Sequence, residues 1–223
     1  MIKKVLLLPI LTIIFGLTVH SQEANAKSGE NKEAMSPGSA ASPEGAAKVA
    51  LNIGAKMPAF KLKDAVGNVV SSESLLKRGN LVIVFYRGSW CPFCNLYLRK
   101  LQQNLQQIKD NKGILVAISV EDPDSSLSIS KKNELQFTVL SDPNLAVARK
   151  FGIVYQLSKQ TDELYKSHGL DIAKHNEMEK AELPLSATYI VNQNGEIVYS
   201  FLEPDYKKRA EPQIIIETLS KMK

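Results

Sequence analysis

Two uninterrupted apolar runs, residues 81–86 (Leu-Val-Ile-Val-Phe-Tyr) and 114–120 (Ile-Leu-Val-Ala-Ile-Ser-Val), constrain this chain more than any other feature. A strand with no polar alternation suits a place covered on both faces, which is the interior of a parallel sheet. Between the runs the pattern changes period. After Pro92, Cys94, Leu98, Leu101, Leu105 and Ile108 recur at intervals of four, three, four and three, while Gln102, Gln103, Gln106, Gln107 and Lys109 fall between them. That is one apolar helix face with a polar back. Strand, helix and strand make a βαβ unit with a right-handed crossover. The segment after the first strand then lies at the carboxyl end of a parallel strand, where open α/β sheets place their sites.

That segment is Phe85-Tyr86-Arg87-Gly88-Ser89-Trp90-Cys91-Pro92-Phe93-Cys94, and it holds both cysteines of the chain. A thiol is a nucleophile only as thiolate, and the free amides and partial positive charge of a helix N-terminus favour that form. Pro92 suits the first helical position, where its missing N–H costs nothing. Cys94 is expected on the buried stripe and Cys91 exposed at the helix entrance, the arrangement of a dithiol switch. Inert packing would not explain Trp90 beside Cys91 or the proline between the thiols. A zinc site needs two more ligands, and His168 and His175 lack finger-like spacing. Covalent haem needs His where this chain has Asn95. No metal or other cofactor is expected.

Elsewhere the elements read in order. A short hairpin spans residues 58–70 with its turn at Gly67-Asn68, and residues 71–76 form a helical turn. Asp122-Pro123 opens a helix through Lys132, residues 137–140 form a strand, and Asp142-Pro143 opens a helix reaching Gly152. Residues 161–178 are a polar excursion over the surface, with His168 and His175 read as exposed and inert. Two strands flank Asn194-Gly195, a strong hairpin signal, and a last helix after Pro212 turns Ile215, Ile216 and Leu219 inward.

The start of the chain differs in kind. Lys3 and Lys4 lead an apolar segment, residues 5–19, that is short of the roughly 20 residues a membrane-crossing helix needs, and small residues Ala24-Asn25-Ala26 follow. Residues 1–26 are therefore expected to be a signal peptide, with membrane attachment only through this leader if it stays uncleaved. Residues 27–50, rich in Ser, Gly, Ala, Pro, Glu and Lys, read as a flexible linker, with the folded domain over residues 51–223. The net charge of +5 is spread without a basic block, so nucleic-acid binding is not indicated.

The order of elements is similar to the thioredoxin fold: an α/β domain with a central mixed sheet flanked by helices. Residues 85–95, Val139 to Asp142, Leu183-Pro184 with Ala187-Thr188-Tyr189, and Asp205-Tyr206 with Arg209 to Pro212 together resemble the peroxiredoxin-like branch of the alkyl hydroperoxide reductase and thiol-specific antioxidant family. The resemblance implies a thiol-dependent enzyme that reduces hydroperoxides and is recharged by thioredoxin or a thioredoxin-like reductant. It also implies the peroxide-attacking sulfur at Cys94. Arg87 and Cys91 stand where the family has proline and Thr or Ser, and the arginine that steadies the thiolate would fall near Ser186. Matched to thioredoxin-type oxidoreductases instead, Cys91 attacks and Cys94 resolves, with the partner proline near Ser186 or at Pro184. Two active readings follow, peroxide reduction and thiol–disulfide exchange on exported proteins, beside a catalytically silent binding module. The candidate site is Cys94 and Cys91, supported by Arg87, Trp90, Pro92 and Ser186.

Overall fold

The computed structural model describes residues 38–222, so the expected signal peptide and the first part of the expected linker, residues 27–37, lie outside the described residues. The fold begins before Leu51. Strand β1 (Ser39–Ala40) and helix α1 (Pro43–Val49) occupy the expected linker stretch. The Ser42 side chain caps α1 by accepting from the Gly45 N–H, Pro43 opens it, and Ala46 is fully buried. A capping serine followed by proline is a helix start even in a stretch poor in large apolar residues.

The chain continues through β2 (Lys61–Asp64), β3 (Val69–Ser71), α2 (Ser72–Leu76), β4 (Asn80–Phe85), α3 (Pro92–Gln103), α4 (Leu105–Asp110), β5 (Gly113–Ser119), α5 (Pro123–Lys132) and β6 (Thr138–Ser141). After a 3-10 turn (Pro143–Leu145) come α6 (Ala146–Lys150), β7 (Val154–Gln156), α7 (Lys159–Ser167), α8 (Ile172–His175), β8 (Glu182–Pro184), β9 (Thr188–Val191), β10 (Ile197–Phe201) and α9 (Pro212–Ser220). Seven strands form the main sheet in the order β10-β9-β4-β5-β6-β2-β3. Its centre, β4, β5 and β6, is parallel, with Phe85 opposite Ile118 and Ile118 opposite Leu140. The flanking pairs are antiparallel. A small sheet, β1-β7-β8, lies apart. This is the mixed, helix-flanked sheet the sequence predicts. Among the described residues, no helix is long and apolar enough to cross a membrane.

The apolar runs divide between two cores because successive strand residues face opposite ways. Leu81, Ile83 and Phe85 pack with Ile118, Phe151 and Tyr189 on one side of the sheet. Val82, Val84 and Tyr86 pack on the other with Leu98, Leu101, Ile108, Ile215 and Leu219, and both cysteines belong to this second core.

Two expected helices are interrupted. The stripe from Cys94 to Ile108 is buried as its spacing requires, but Asn104 leaves the helical conformation and divides α3 from α4. Asn144 and Leu145 both have positive φ, 57° and 58°, so no continuous helix leaves Pro143. The buried Asp142 carboxylate instead accepts from the N–H groups of Val147 and Ala148, each at 2.8 Å, satisfying the free amides at the start of α6.

Candidate active site

The end of β4 is held on both sides, the Phe85 N–H donating to the Ala187 carbonyl and the Tyr86 N–H to the Ile118 carbonyl. The next residues cross the carboxyl edge of the sheet and enter α3 with Cys91 at its N-cap and Pro92 at its first position. Gly88 permits the crossing: a Cβ there would stand 2.3 Å from the Trp90 indole nitrogen. Trp90 lies half-buried over this loop, edge-on to Tyr165 with ring centroids 5.9 Å apart.

Both sulfurs are buried. Cys91 and Cys94 are each 1% exposed, which corrects the expectation that Cys91 is the open partner. Trp90, Tyr97 and Tyr206 pack against the same core as the two cysteines. The neighbouring Cys94 thiol, with the Arg87 and then the Arg209 guanidinium behind it, draws the Cys91 pKa down to about 6 against the opposing effect of burial. The neighbouring Cys91 sulfur, burial and that sulfur's charge push Cys94 well above the ordinary thiol value.

A guanidinium stands at each sulfur. Arg87 is 2% exposed, with Nη1 4.0 Å from the Cys91 Sγ and Nη2 donating to the Tyr165 hydroxyl. Its charge lies over Tyr206 (3.9 Å), Trp90 (4.8 Å) and Tyr165 (5.6 Å). Arg209, on the segment before α9, donates from Nη2 to the Cys94 Sγ at 3.4 Å. No carboxylate among the described residues pairs with either arginine, and the Nε of each is buried without a hydrogen-bond partner.

Behind the loop lies a second layer that the sequence reading did not foresee. The buried Glu121, just past β5, accepts from the Ser89 N–H (2.6 Å) and hydroxyl (2.7 Å) and pairs with the His175 Nε2 at 3.0 Å. Asn95 donates to the carbonyls of Ser89 (2.6 Å) and Cys91 (3.0 Å) and accepts from Asn133. His168 stays on the surface, but His175 ties the polar excursion to the loop. Glu121 carried a signal of its own, an acid directly after an apolar parallel strand; Tyr165 and His175 carried none, since only the fold brings them near.

The remaining candidates are less engaged. Ser186 is buried beside the end of β4, with its hydroxyl unpartnered and no hydrogen bond to either sulfur. The guanidinium that reaches the Cys94 sulfur belongs to Arg209. Pro184 is a trans residue in β8, paired with Val154 in the small sheet. Among the described residues no three His, Cys, Asp or Glu side chains gather as metal ligands.

The family model of the AhpC/TSA family matches residues 53–200. A chloroplastic peroxiredoxin Q of Populus jackii is 28% identical over 134 residues, 58% of this chain and 62% of that protein. A putative peroxiredoxin bcp of Haemophilus influenzae is 31% identical over 104 residues, 46% of this chain and 66% of that protein. The chain thus spans about three fifths of the length of the first curated relatives it matches. Among solved structures, peroxidoxin BcpB of Mycobacterium tuberculosis superposes with a TM-score of 0.64 at 17% identity, covering 78% of this chain and 99% of that one. Peroxiredoxin Q of Xanthomonas campestris gives 0.59 at 15%, covering 78% and 96%. At such identities the structural likeness shows the fold, which is the thioredoxin-like fold of peroxiredoxins.

Proposed function

This chain belongs to the AhpC/TSA family, and from that membership we propose that it is a thiol-dependent peroxidase working through the Cys91–Cys94 pair. In the cycle, two thiols and one hydroperoxide yield the disulfide, an alcohol and water; a dithiol donor of the thioredoxin kind then returns the two electrons and two protons. Arg87 holds the thiolate charge, Trp90 covers it, Pro92 starts the helix at the pair, and Ser186 lines the end of β4 behind it.

The observation that carries the reading is the burial of both sulfurs at 1% exposure. Attack on a protein disulfide requires a large electrophile to reach the sulfur in line, whereas a hydroperoxide needs only a small channel. Thiol–disulfide exchange on exported proteins is the second reading, supported by the Trp90-Cys91-Pro92-Phe93-Cys94 order and by the thiolate on Cys91. Recharging by a protein donor then requires the Trp90–Cys94 segment to open once oxidised.

The residue pattern of positions 1–26 supports export, to a periplasmic or secreted location. There the pair stays oxidised unless a dedicated reductant reaches it. The test is hydrogen peroxide and insulin-disulfide turnover measured side by side with a thioredoxin system. Peroxide turnover well above insulin reduction is expected; insulin reduction alone would replace this reading with the second.

A further inference from the structure

We propose that Tyr165, on the polar excursion, is a positioning residue for the cysteine pair: its hydroxyl fixes how the Arg87 guanidinium is turned, and so how much positive charge the sulfurs meet. The inference rests on the peroxidase reading in taking Cys91 and Cys94 as the reacting pair, and it holds whichever of the two sulfurs attacks.

The argument starts from what holds Arg87. Its side chain is 2% exposed, and no carboxylate among the described residues pairs with it. The rings of Tyr206, Trp90 and Tyr165 meet its charge instead. Attraction to a ring face depends on where the cation stands over the ring, and little on how the guanidinium is turned within its own plane. A hydrogen bond does fix that turn. The guanidinium is a rigid planar fork, so an Nη2 tied to the Tyr165 hydroxyl sets where Nη1 points. Nη1 then stands 4.0 Å from the Cys91 Sγ, a long contact that a modest rotation would lose. Nε is buried without a partner and adds no restraint.

Packing alone does not account for Tyr165. Helix α7 has no buried residue, and Leu164 beside the tyrosine is 54% exposed. Tyr165 is the side chain by which this helix reaches the loop, edge-on to Trp90 and bonded to Arg87. The next helix has a seat of its own: Ile172 in α8 is fully buried, and His175 pairs with the Glu121 carboxylate that holds Ser89. The excursion thus engages Arg87 and Trp90 directly and Ser89 through Glu121, three of the four residues before Cys91. Tyr165 lies outside every segment that carries the family resemblance.

The test is a double-mutant cycle on the reduced protein. Wild type, Tyr165→Phe, Arg87→Gln and the double variant, with folding checked by circular dichroism, are alkylated with iodoacetamide over about pH 5–10, a range that spans the ordinary thiol pKa. Ultraviolet thiolate absorbance reads the same midpoint without a reagent having to reach the buried sulfurs. Tyr165→Phe deletes one oxygen and keeps the ring against Trp90. It is expected to slow alkylation about three- to tenfold at pH 7, the weight of one hydrogen bond on an equilibrium. The loss should vanish at high pH, where the thiols ionise whatever Arg87 does. In the Arg87→Gln background the same change should do nothing, because a residue that acts through another has no effect once that other is gone.

A variant that only loosened the fold would expose the sulfurs and alkylate faster in both backgrounds. Faster alkylation, an unmoved midpoint, or slowing of equal size with and without Arg87 would overturn the role of Tyr165. Hydrogen peroxide consumption by the same four proteins keeps the two readings apart. A wild-type protein that alkylates as stated but leaves peroxide untouched sinks the peroxidase reading, and not the positioning of Arg87 by Tyr165.

Discussion

Replacing Arg87 with Gln removes the charge that faces Cys91 while keeping a polar side chain of similar reach. At the 4.0 Å separation, two unit charges at an effective dielectric of about 20 interact by about 4 kcal/mol. Water entering the vacated space and the remaining Cys94 and Arg209 contacts reduce this, so an upward shift of about two pKa units is the expected size, at 1.36 kcal/mol per unit. The Cys91 value then moves from about 6 to about 8, and at pH 7 the thiolate fraction falls roughly tenfold. Alkylation of Cys91 by iodoacetamide in the reduced protein should slow by the same factor at pH 7 and recover by about pH 9, because a more basic thiolate is at least as nucleophilic once formed. Ultraviolet thiolate absorbance across the same pH range gives the midpoint directly. A midpoint unmoved by Arg87→Gln, or a rate loss that no rise in pH restores, would refute the assignment of Arg87 as the counter-ion of Cys91.

Three further outcomes follow from the same geometry. Tyr206→Ala removes the ring nearest Arg87, a contact of about 0.5–2 kcal/mol, so the Cys91 midpoint should rise by less than in Arg87→Gln; an equal or larger rise would mean the ring, not the charge, sets the thiolate. Glu121→Gln weakens the bonds to Ser89 and His175 and should lower the denaturation free energy by about 1–3 kcal/mol, read from urea midpoints; an unchanged midpoint contradicts the tethering role. The folded Cys91 pKa is depressed below its unfolded value, so its stabilising contribution is complete above the unfolded value, near 9, and is lost as pH falls through about 6. The reduced protein should therefore grow more stable between pH 6 and 9 by an increment that Cys91→Ser lacks, and equal pH slopes for the two proteins would contradict it.

The sheet was legible because its signals are local. Unbroken apolar runs place β4 and β5 at the centre, Gly67 and Gly195 mark the two hairpins, and the spacing from Cys94 to Ile108 gives a buried helical face. The helix breaks were not, because Asn104 is tolerable in a helix and nothing near Asn144 and Leu145 requires positive φ until Asp142 bonds forward to Val147 and Ala148. At the site, the cysteines and Arg87 stand on one short segment and could be read together. Burial of Cys91 could not, since it depends on Trp90 and on Tyr206 arriving from the far end of the chain. Arg209 and His175 reach the loop by long-range contact alone, and polar residues in a surface segment look alike in sequence whether they face water or a buried acid.

The measurement that bears most directly on the central claim is mass spectrometry of the reduced native protein after a single equivalent of hydrogen peroxide. The account predicts one peroxide consumed per chain, the loss of two hydrogens, and a linkage mapped between Cys91 and Cys94 that a thioredoxin system reverses. Peroxide consumed with no linked form, or undiminished consumption by a protein in which both cysteines are serine, would contradict it.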